Sequence, residues 1–390
     1  MPCAGDRETG GPGRPGLSDR RGRAVVLPFW QRPGGVAGDR LRDAGRGCLG
    51  FGPHVPSPAP TPPNPTLEAA VAAVAAAMPV VRVLGETLRA VPPIEKGDGS
   101  PVTAADYAVQ AIVVAGLRAR LGGRVPLVGE EHADALVSAR RPDAERLVVD
   151  TVRSVLGWMP HVDALRAIDG DEPRPGEPAW TIDPIDGTKG FLLGAQCSIC
   201  LARIEGRVVT HGVLGCPRMG SGGDFGIHLS GPGLVYGASL GGGAFEWRAG
   251  CAPAPLRRGP GDAVLRWARS LNRSGNAVPS RLEPLIGAGG PYTTVSMDSQ
   301  CKYALVARGD SDLVVRLPRG SGHRESVWDH ASGTLIAAEA GALVSDALGQ
   351  ALDFSHGSEL AANLGVLCVA PLHAGRVAPA IRSLAAAVAG

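Results

Sequence analysis

The chain is short of aromatic residues and of lysine. Only 4% of its 390 residues are aromatic, although 44% are hydrophobic. Alanine, valine and leucine must therefore fill most of the core that a chain of this length can bury. Lysine accounts for three of the 39 basic residues, namely Lys96, Lys189 and Lys302. Because arginine does not replace a compact ammonium at a tight site, we expect a specific role for these lysines.

The sequence also lacks an uninterrupted apolar run of membrane-spanning length. Residues 66–84 come closest, but Glu68, Pro79 and Arg82 interrupt them. This pattern favours a soluble, alanine-rich helix, and we expect no membrane partner. The glycine-rich residues 233–247 contain no GxGxxG between a strand and a helix. A dinucleotide-binding fingerprint is therefore not predicted.

The eight cysteines show no metal-ligand spacing. Cys197 and Cys200 form a CxxC, but they lie in CSICLARI, which has the pattern of a strand. Residues three apart on a strand point to opposite faces, so a zinc clamp or a thioredoxin-type motif is disfavoured. We expect buried thiols that pack as small hydrophobic groups, and a regulatory disulfide elsewhere stays open.

Residues 1–65 differ in composition from the rest. They contain nine arginines and five acidic residues, a net charge of +4, together with 13 glycines and 12 prolines. The other residues carry 39 − 9 = 30 basic and 37 − 5 = 32 acidic side chains, a net charge of −2. The basic pI thus belongs to this tail, and we expect no nucleic-acid polymer as a partner. The tail is interpreted as disordered, as a targeting segment or as a doubtful gene start.

From residue 66 onward, the apolar patterns predict alternating helices and strands. Helices are predicted near 67–90, 103–121, 145–158, 298–309, 327–342 and 378–389. Strands are predicted at 125–131, 180–186, 198–215 as a hairpin, 233–247, 312–318 and 342–354 as a final hairpin, while 262–272 fits either type. This order predicts an α/β (α+β) layered sandwich. We place a metal-binding subdomain at residues 66–218 and a substrate subdomain at residues 219–390.

Two aspartates stand three residues apart in the segment WTIDPIDGTKGF, residues 180–191. Asp183 and Asp186 each raise the cost of ionising the other unless a positive charge lies between them. The rigid Pro184 and the turn-forming Gly187 let both carboxylates and the carbonyl of Ile185 face one cation. The segment therefore predicts a site for one or more divalent cations.

Further acids lie at the ends of other predicted elements. Glu130 ends the strand in VPLVGEE, Asp329 begins the helix in VWDH, and Asp106 lies in the first turn after the N-cap Thr103. Each alone would be an ordinary strand end, cap or turn. Together they form an all-oxygen ligand set, which Mg²⁺ prefers. Zinc is disfavoured, and His330 is expected to cap or pack rather than to bind a metal.

These motifs resemble a known family. EKGDGSPVTAADYAVQ, VGEE, WTIDPIDGTKGF and VWDHASGTLIAAEAGALVSD are similar to those of the lithium-sensitive, Mg²⁺-dependent inositol monophosphatase superfamily. SPVTxxDYxxQ, DPIDGTKGF and DSQxKYxLxARGxxDLxxRLP resemble the branch of 3′(2′),5′-bisphosphate nucleotidases. The resemblance covers residues 66–385 and implies the layered sugar-phosphatase fold.

The resemblance also implies roles for individual residues around two or three Mg²⁺ ions. The implied metal ligands are Glu130, Asp183, the carbonyl of Ile185, Asp186 and Asp329. Asp106 and Thr188 would position and deprotonate the attacking water. The residues implied to bind the substrate are Gly187, Thr188, Ser299, Lys302, Arg316 and Asp329.

The expected activity is hydrolysis of the 3′-phosphate of adenosine 3′,5′-bisphosphate to AMP and phosphate, with 3′-phosphoadenylyl sulfate as a further substrate. Two alternatives stay open: an inositol phosphate phosphatase and a non-catalytic nucleotide-binding regulator. We expect a small-molecule partner, with a monomer slightly favoured. The protein is expected in the cytoplasm, or in a plastid or mitochondrion if residues 1–65 act as a transit peptide.

Two segments depart from the family pattern. Asn272, Arg273 and Ser274 replace the serine-rich, histidine-containing segment, so contacts with the purine and its phosphate are expected to differ. Leu193 stands where an arginine is common, and Cys197-Ser198 where an aromatic residue or alanine is common. The implied metal ligands are unaffected by both departures.

Overall fold

The structure, a computed structural model, describes residues 60–87, 94–95, 101–220, 231–270, 278–318, 322 and 324–389. Within these residues the chain forms ten helices and fourteen strands. The helices are α1 (Pro65–Thr87), α2 (Ala104–Leu121), α3 (Ala133–Ser138), α4 (Pro142–Leu156), α5 (His161–Asp169), α6 (Thr188–Leu192), α7 (Val278–Ala288), α8 (Cys301–Arg308), α9 (Ala331–Glu339) and α10 (Pro371–Ala389). The strands are β1 (Ile94–Glu95), β2 (Pro101–Val102), β3 (Leu127–Gly129), β4 (Ala179–Asp186), β5 (Ser198–Glu205), β6 (Val208–Cys216), β7 (Leu234–Ser239), β8 (Gly243–Trp247), β9 (Ala254–Leu256), β10 (Leu265–Arg269), β11 (Tyr292–Ser296), β12 (Leu313–Arg316), β13 (Leu343–Ser345) and β14 (Val366–Val369).

A seven-stranded sheet, in the order β3-β4-β5-β6-β7-β8-β9, forms the larger half of the molecule. Only the β3–β4 pair is parallel. Helices α1 and α2 cover one face, and α4 and α5 pack against α2. Side chains of β5 alternate between two cores, because successive residues of a strand point to opposite faces. Ile199 and Leu201 pack under α1 and α2, whereas Cys200 and Ala202 pack on the other side.

The second sheet has five strands in the order β11-β10-β12-β14-β13. Helices α8 and α9 lie between the two sheets, since they contact strands of both. Helices α7 and α10 contact each other, and α10 also contacts β14. Their apolar residues form a third core with Leu313 and Leu367, while the neighbouring Val314 and Cys368 face α8 and α9. The result is a sandwich of alternating helix and sheet layers, which confirms the predicted fold class.

Most of the predicted elements are present, whereas other elements, such as α3, α7 and β14, lie where none was predicted. The segment 342–354 is not a hairpin, because β13 pairs with β14 some twenty residues later in the chain. Residues 166–169, for which no helix or strand was predicted, belong to the end of α5. Residues 262–272, which fitted either type, contain the strand β10. Sequence pattern alone does not reveal the pairing of β13 with β14, since a strand's partner depends on the whole sheet.

The predicted division between residues 218 and 219 lies between two paired strands, β6 and β7, of one sheet. The change from the first sheet to the second comes between Leu256 and Leu265. The sheets therefore give no support for a subdomain boundary at 218. Residues 1–59, which make up most of the predicted tail, lie outside the described residues.

Within the described part of the chain, α1 is the one helix long and apolar enough to cross a membrane by length and composition. Of its window Pro65–Arg82, however, 67% is buried inside the protein. It packs against α2, β6 and β7. This burial is typical of the core helix of a soluble protein, so the composition of α1 is weak evidence for a membrane span.

Candidate metal centre and active site

Two acidic residues meet where the parallel strands β3 and β4 end. Gly129 pairs with Ile182, and the backbone N–H of Glu130 donates to the carbonyl of Ile182 at 3.1 Å. Because β3 stops there, the last residues of β4 have no partner on that side. Pro184, which has no N–H to donate, is tolerated at such a position. This geometry puts Glu130 beside Asp183, as the sequence predicted.

The end of β4 is also irregular on its other side. The register with β5 shifts between Asp183 and Asp186, and Asp186 then pairs with Ser198. Such a bulge re-aims side chains, so that both aspartates reach one region. Asp186 Oδ2 accepts hydrogen bonds from the backbone N–H of Gln300 and from Ser198 Oγ, the latter at 3.5 Å. Strand β5 and the backbone just before α8 thereby hold Asp186 in place.

The third aspartate comes from the turn that precedes α9. Asp329 lies two residues before Ala331, and one oxygen each of Asp183, Asp186 and Asp329 lie within 4.8 Å of one another. Asp183 is only 3% exposed, whereas Asp186 and Asp329 are partly exposed. We refer to these three residues and Glu130 as the carboxylate cluster. The cluster is closed on the side of Asp183 and open to solvent on the other side.

The electrostatics of the carboxylate cluster favour a bound cation or proton. Burial raises the pKa of Asp183 well above its ordinary value, and the charges of Glu130, Asp186 and Asp329 raise it further. Burial and then the charge of Asp186 raise the pKa of Asp329 to about 8. Asp183 Oδ1 is buried and has no hydrogen-bond partner among the described residues. An orphaned carboxylate oxygen is costly, and a hard divalent cation with oxygen ligands fits it.

His330 is a poor metal ligand, although Glu325, Asp329 and His330 form a second close group. Its Nδ1 lies 2.7 Å from the hydroxyl of Tyr303, and its Nε2 lies 3.1 Å from Glu325 Oε2. Both ring nitrogens are therefore engaged. His330 precedes α9 but makes no side-chain capping bond, so packing rather than capping describes it.

Asp106 and Thr188 lie at the starts of two helices near the carboxylate cluster. The backbone N–H and the hydroxyl of Thr103 donate to Asp106 Oδ2 at 2.8 and 2.7 Å, in the predicted capping arrangement. Burial raises the pKa of Asp106 to about 8, with smaller contributions from Glu131 and Glu130. Because α6 contacts β2, which leads into Thr103, Thr188 lies on the same side of the molecule.

A tight turn joins β4 to α6. Gly187 has φ +88°, and a Cβ there would lie 3.2 Å from Cβ of Ser299. Only glycine adopts this conformation readily. Thr188 Oγ1 donates to the carbonyl of Ile185 at 3.0 Å. The turn therefore places Ile185, Thr188 and Ser299 around the end of β4.

Two basic side chains, Lys302 and Arg316, offset part of the negative charge of the carboxylate cluster. Lys302 is 8% exposed, and its Nζ donates to Ser270 Oγ at 2.9 Å. Burial lowers the pKa of Lys302, while the charge of Asp186 partly restores it. Arg316, at the end of β12, interacts electrostatically with Glu325, Asp329 and Asp186. The structure thus brings every described candidate residue to one region of the molecule.

Sequence reasoning missed Gln300 and Glu325. The side chain of Gln300 donates to the carbonyl of Trp328 at 2.7 Å and accepts from Ser332 Oγ and Gly333 N at 2.9 and 3.0 Å. Together with its N–H on Asp186, these bonds link α8 to the turn that carries Asp329. Nothing in a glutamine within DSQ signals this role, because all its partners are distant in sequence.

The departures from the family pattern have different outcomes. Asn272, Arg273 and Ser274 lie outside the described residues, as does Lys96. Leu193 follows α6 and is 77% exposed. Cys197 and Cys200 are buried free thiols, in agreement with the packing interpretation.

Comparison with known proteins gives a consistent result. The model of the inositol monophosphatase family matches residues 63–385. A 3′(2′),5′-bisphosphate nucleotidase of Emericella nidulans is 34% identical over 303 residues, covering 70% of this chain and 85% of the relative. A protein of the same name from Schizosaccharomyces pombe is 34% identical over 293 residues, covering 70% and 81%. In structure, an IMPase of Thermotoga maritima aligns with a TM-score of 0.54 and 20% identity, covering 81% of this chain and 97% of that one. The chain belongs to the inositol monophosphatase family.

Proposed function

We propose that this protein is an Mg²⁺-dependent phosphomonoesterase that hydrolyses the 3′-phosphate of adenosine 3′,5′-bisphosphate, giving AMP and phosphate. The observation that carries the proposal is the carboxylate cluster, with three aspartate oxygens within 4.8 Å and one buried oxygen that has no hydrogen-bond partner among the described residues. The names of the curated relatives support the nucleotide as substrate.

The donors fit two cation positions that share Asp183. Glu130, Asp183 and the carbonyl of Ile185 would hold one cation, and Asp183, Asp186 and Asp329 the other. All these donors are oxygens, which favours Mg²⁺ over zinc. When bound, Mg²⁺ supplies a lowered pKa for water and neutralises charge on the phosphate oxygens.

Asp106 and Thr188 are proposed to orient and deprotonate the attacking water. The Thr188 hydroxyl gives its hydrogen to the carbonyl of Ile185, so its lone pairs can accept a hydrogen bond from water. Both bonds from Thr103 go to Asp106 Oδ2, which leaves Oδ1 outside that pair of bonds. A carboxyl with a pKa of about 8 gains and loses a proton near neutral pH, as a general base requires.

The scissile phosphate is proposed to lie against the backbone of Gly187 and Thr188. Ser299, Lys302 and Arg316 are proposed to bind the rest of the nucleotide, including its second phosphate. A bisphosphate carries more negative charge than a monophosphate, and a guanidinium with a nearby ammonium complements that charge. The side chains of Lys302 and Arg316 both lie close to Asp186, on the side of the carboxylate cluster that faces the second sheet.

The test is phosphate release by the purified chain from adenosine 3′,5′-bisphosphate, with Mg²⁺ and with a chelator. We expect release with Mg²⁺ that the chelator abolishes, and Asp183→Asn should lose it because the variant removes a ligand shared by both cations. Inositol 1-phosphate is the comparison substrate. A clear preference for it would make the protein an inositol phosphate phosphatase. Nucleotide binding without release at any Mg²⁺ concentration would indicate a non-catalytic regulator.

A further inference from the structure

Three buried side chains connect in a line behind Arg316. Its guanidinium donates to Glu325 Oε2 at 3.3 Å, and the same oxygen lies 3.1 Å from His330 Nε2. His330 Nδ1 lies 2.7 Å from the hydroxyl of Tyr303. Tyr303, Glu325 and His330 are all buried. We refer to these three residues as the relay.

The chemistry of the relay fixes which atom donates at each step. A carboxylate only accepts hydrogen bonds, so His330 Nε2 must carry a hydrogen that it donates to Glu325. The other ring nitrogen lies 2.7 Å from the Tyr303 hydroxyl, which can donate to it. Burial raises the pKa of Tyr303 well above its ordinary value, so the hydroxyl keeps its hydrogen. Glu325 is therefore held from one side by His330 and offers its charge to Arg316 on the other.

Packing leaves the relay little freedom. The rings of Tyr303 and His330 meet edge to face, with centroids 6.1 Å apart. On α9, Gly333 lies so close to the Tyr303 ring that an added Cβ would be 2.3 Å from Tyr303 Cδ2. The two helices between the sheets thus fix the tyrosine, and through it the position of Glu325.

The carboxylates of Glu325, Asp329 and Asp186 all attract the guanidinium of Arg316. Its burial lowers its pKa, but the charge of Glu325, followed by that of Asp329, raises it above the ordinary value, and Asp186 contributes as well. Without Glu325, the guanidinium would be drawn towards these two aspartates. Closed onto them, it would occupy carboxylate oxygens that a cation needs, and it would no longer face the substrate.

We propose that Tyr303, His330 and Glu325 are positioning residues that hold Arg316 beside the carboxylate cluster and keep it from closing onto Asp186 and Asp329. Arg316 then meets the phosphate of the nucleotide that is not hydrolysed. The second part of this statement rests on the proposed function. The first part concerns cation binding alone and is independent of the substrate.

The first experiment measures Mg²⁺ binding by calorimetry in the absence of nucleotide. Glu325→Gln keeps the length of the side chain but removes its charge, so Arg316 is released towards the aspartates. We expect the Kd for Mg²⁺ to rise roughly tenfold, the size of effect that one charge-assisted hydrogen bond gives. Tyr303→Phe should raise it by a smaller factor, since Glu325 keeps its charge but loses its fixed position.

The matched control is Tyr236→Phe. Tyr236 is a fully buried tyrosine that shares a core with Tyr303, but its hydroxyl bonds Arg308 and Met219 instead of His330. We expect the Kd for Mg²⁺ of this variant to equal that of the wild type. An equal loss in Tyr236→Phe and Tyr303→Phe would show general loss of packing and would overturn the proposal.

The second experiment compares adenosine 3′,5′-bisphosphate with adenosine 3′-phosphate at saturating Mg²⁺. Glu325→Gln should raise KM for the bisphosphate roughly tenfold while KM for the monophosphate and kcat change little. An equal rise for both substrates, or a Kd for Mg²⁺ equal to that of the wild type, would overturn the positioning role. If the wild type hydrolyses neither nucleotide, the proposed function fails, while the calorimetry still decides whether the relay restrains Arg316.

Discussion

Replacing Asp186 by asparagine should stabilise the protein when no cation is present, although it removes a proposed ligand. Burial raises the pKa of Asp186, and the charges of Lys302 and Arg316 only partly offset this. A raised pKa means that the ionised form costs more in the folded than in the unfolded chain. At any pH above the ordinary pKa of an aspartate, asparagine removes the cost of keeping this buried side chain ionised. It also keeps an oxygen that can accept from the backbone N–H of Gln300.

The magnitude follows from the distance to the neighbouring charge. Oxygens of Asp186 and Asp329 lie within 4.8 Å, and two full charges at that separation repel by about 3.5 kcal/mol at an effective dielectric constant of about 20. With its pKa of about 8, Asp329 is half protonated near that pH, which halves the repulsion. Loss of the attraction to Lys302 and Arg316 reduces the gain further. We expect a net stabilisation of about 1–2 kcal/mol.

The assay is urea unfolding of the wild type and Asp186→Asn at about pH 8, each with chelator and with Mg²⁺. In chelator the variant should be more stable than the wild type. With Mg²⁺ the order should reverse, because the variant lacks a ligand of the second cation position, and occupation of that position stabilises the wild type by about 2.7 kcal/mol at a concentration a hundredfold above its Kd. Phosphate release by the variant should be absent. A variant that is less stable in chelator, or that gains as much from Mg²⁺ as the wild type, would refute the reasoning.

In chelator, Asp106 and Asp329 of the folded wild type keep protons that the unfolded chain has already released. The free energy of unfolding should therefore fall as the pH rises from about 5 to about 8, by up to about 1.4 kcal/mol per pH unit for each of these two groups. Urea unfolding across this range checks the slope, and Mg²⁺ should flatten it. Asp312→Asn should lower stability by about 3–5 kcal/mol with and without Mg²⁺, since it breaks buried ion pairs with two arginines far from the carboxylate cluster; an effect that depends on Mg²⁺ would contradict this. Gly187→Ala should lower stability by about 1–3 kcal/mol and reduce phosphate release, because its φ of +88° is strained for alanine and its Cβ would press on Ser299; normal rates at full stability would count against the proposed role of the turn.

The positions of the candidate residues were largely predictable from their local context. Strand and helix ends are visible in an apolar pattern, and acids at those ends indicated Glu130, Asp183, Asp186 and Asp329. The capping role of Thr103 is equally local, since it depends on residues within three positions of it. The roles of these residues in metal binding and catalysis remain proposals that the experiments above address.

The final hairpin was predicted wrongly because strand pairing depends on contacts between distant segments and not on local sequence. Leu343–Ser345 has the composition of a strand, but its partner is Val366–Val369, and the intervening residues form no strand with it. Pairing in a sheet is decided by which backbone is adjacent in space. Local alternation of apolar residues carries no information about that choice.

By itself, the sequence determined the helix and sheet alternation, the acids at element ends and the scarcity of lysine that pointed to Lys302. These features depend on side-chain periodicity and backbone preference within a few residues. Only the tertiary structure decided that three aspartates share one small volume, that Gln300 ties Asp186 to the Asp329 turn, and that Glu325 holds Arg316. These contacts span 114 residues between Asp186 and Gln300, 28 between Gln300 and Trp328 and nine between Arg316 and Glu325, and each joins different elements or turns of the fold. They form only once the two sheets enclose α8 and α9.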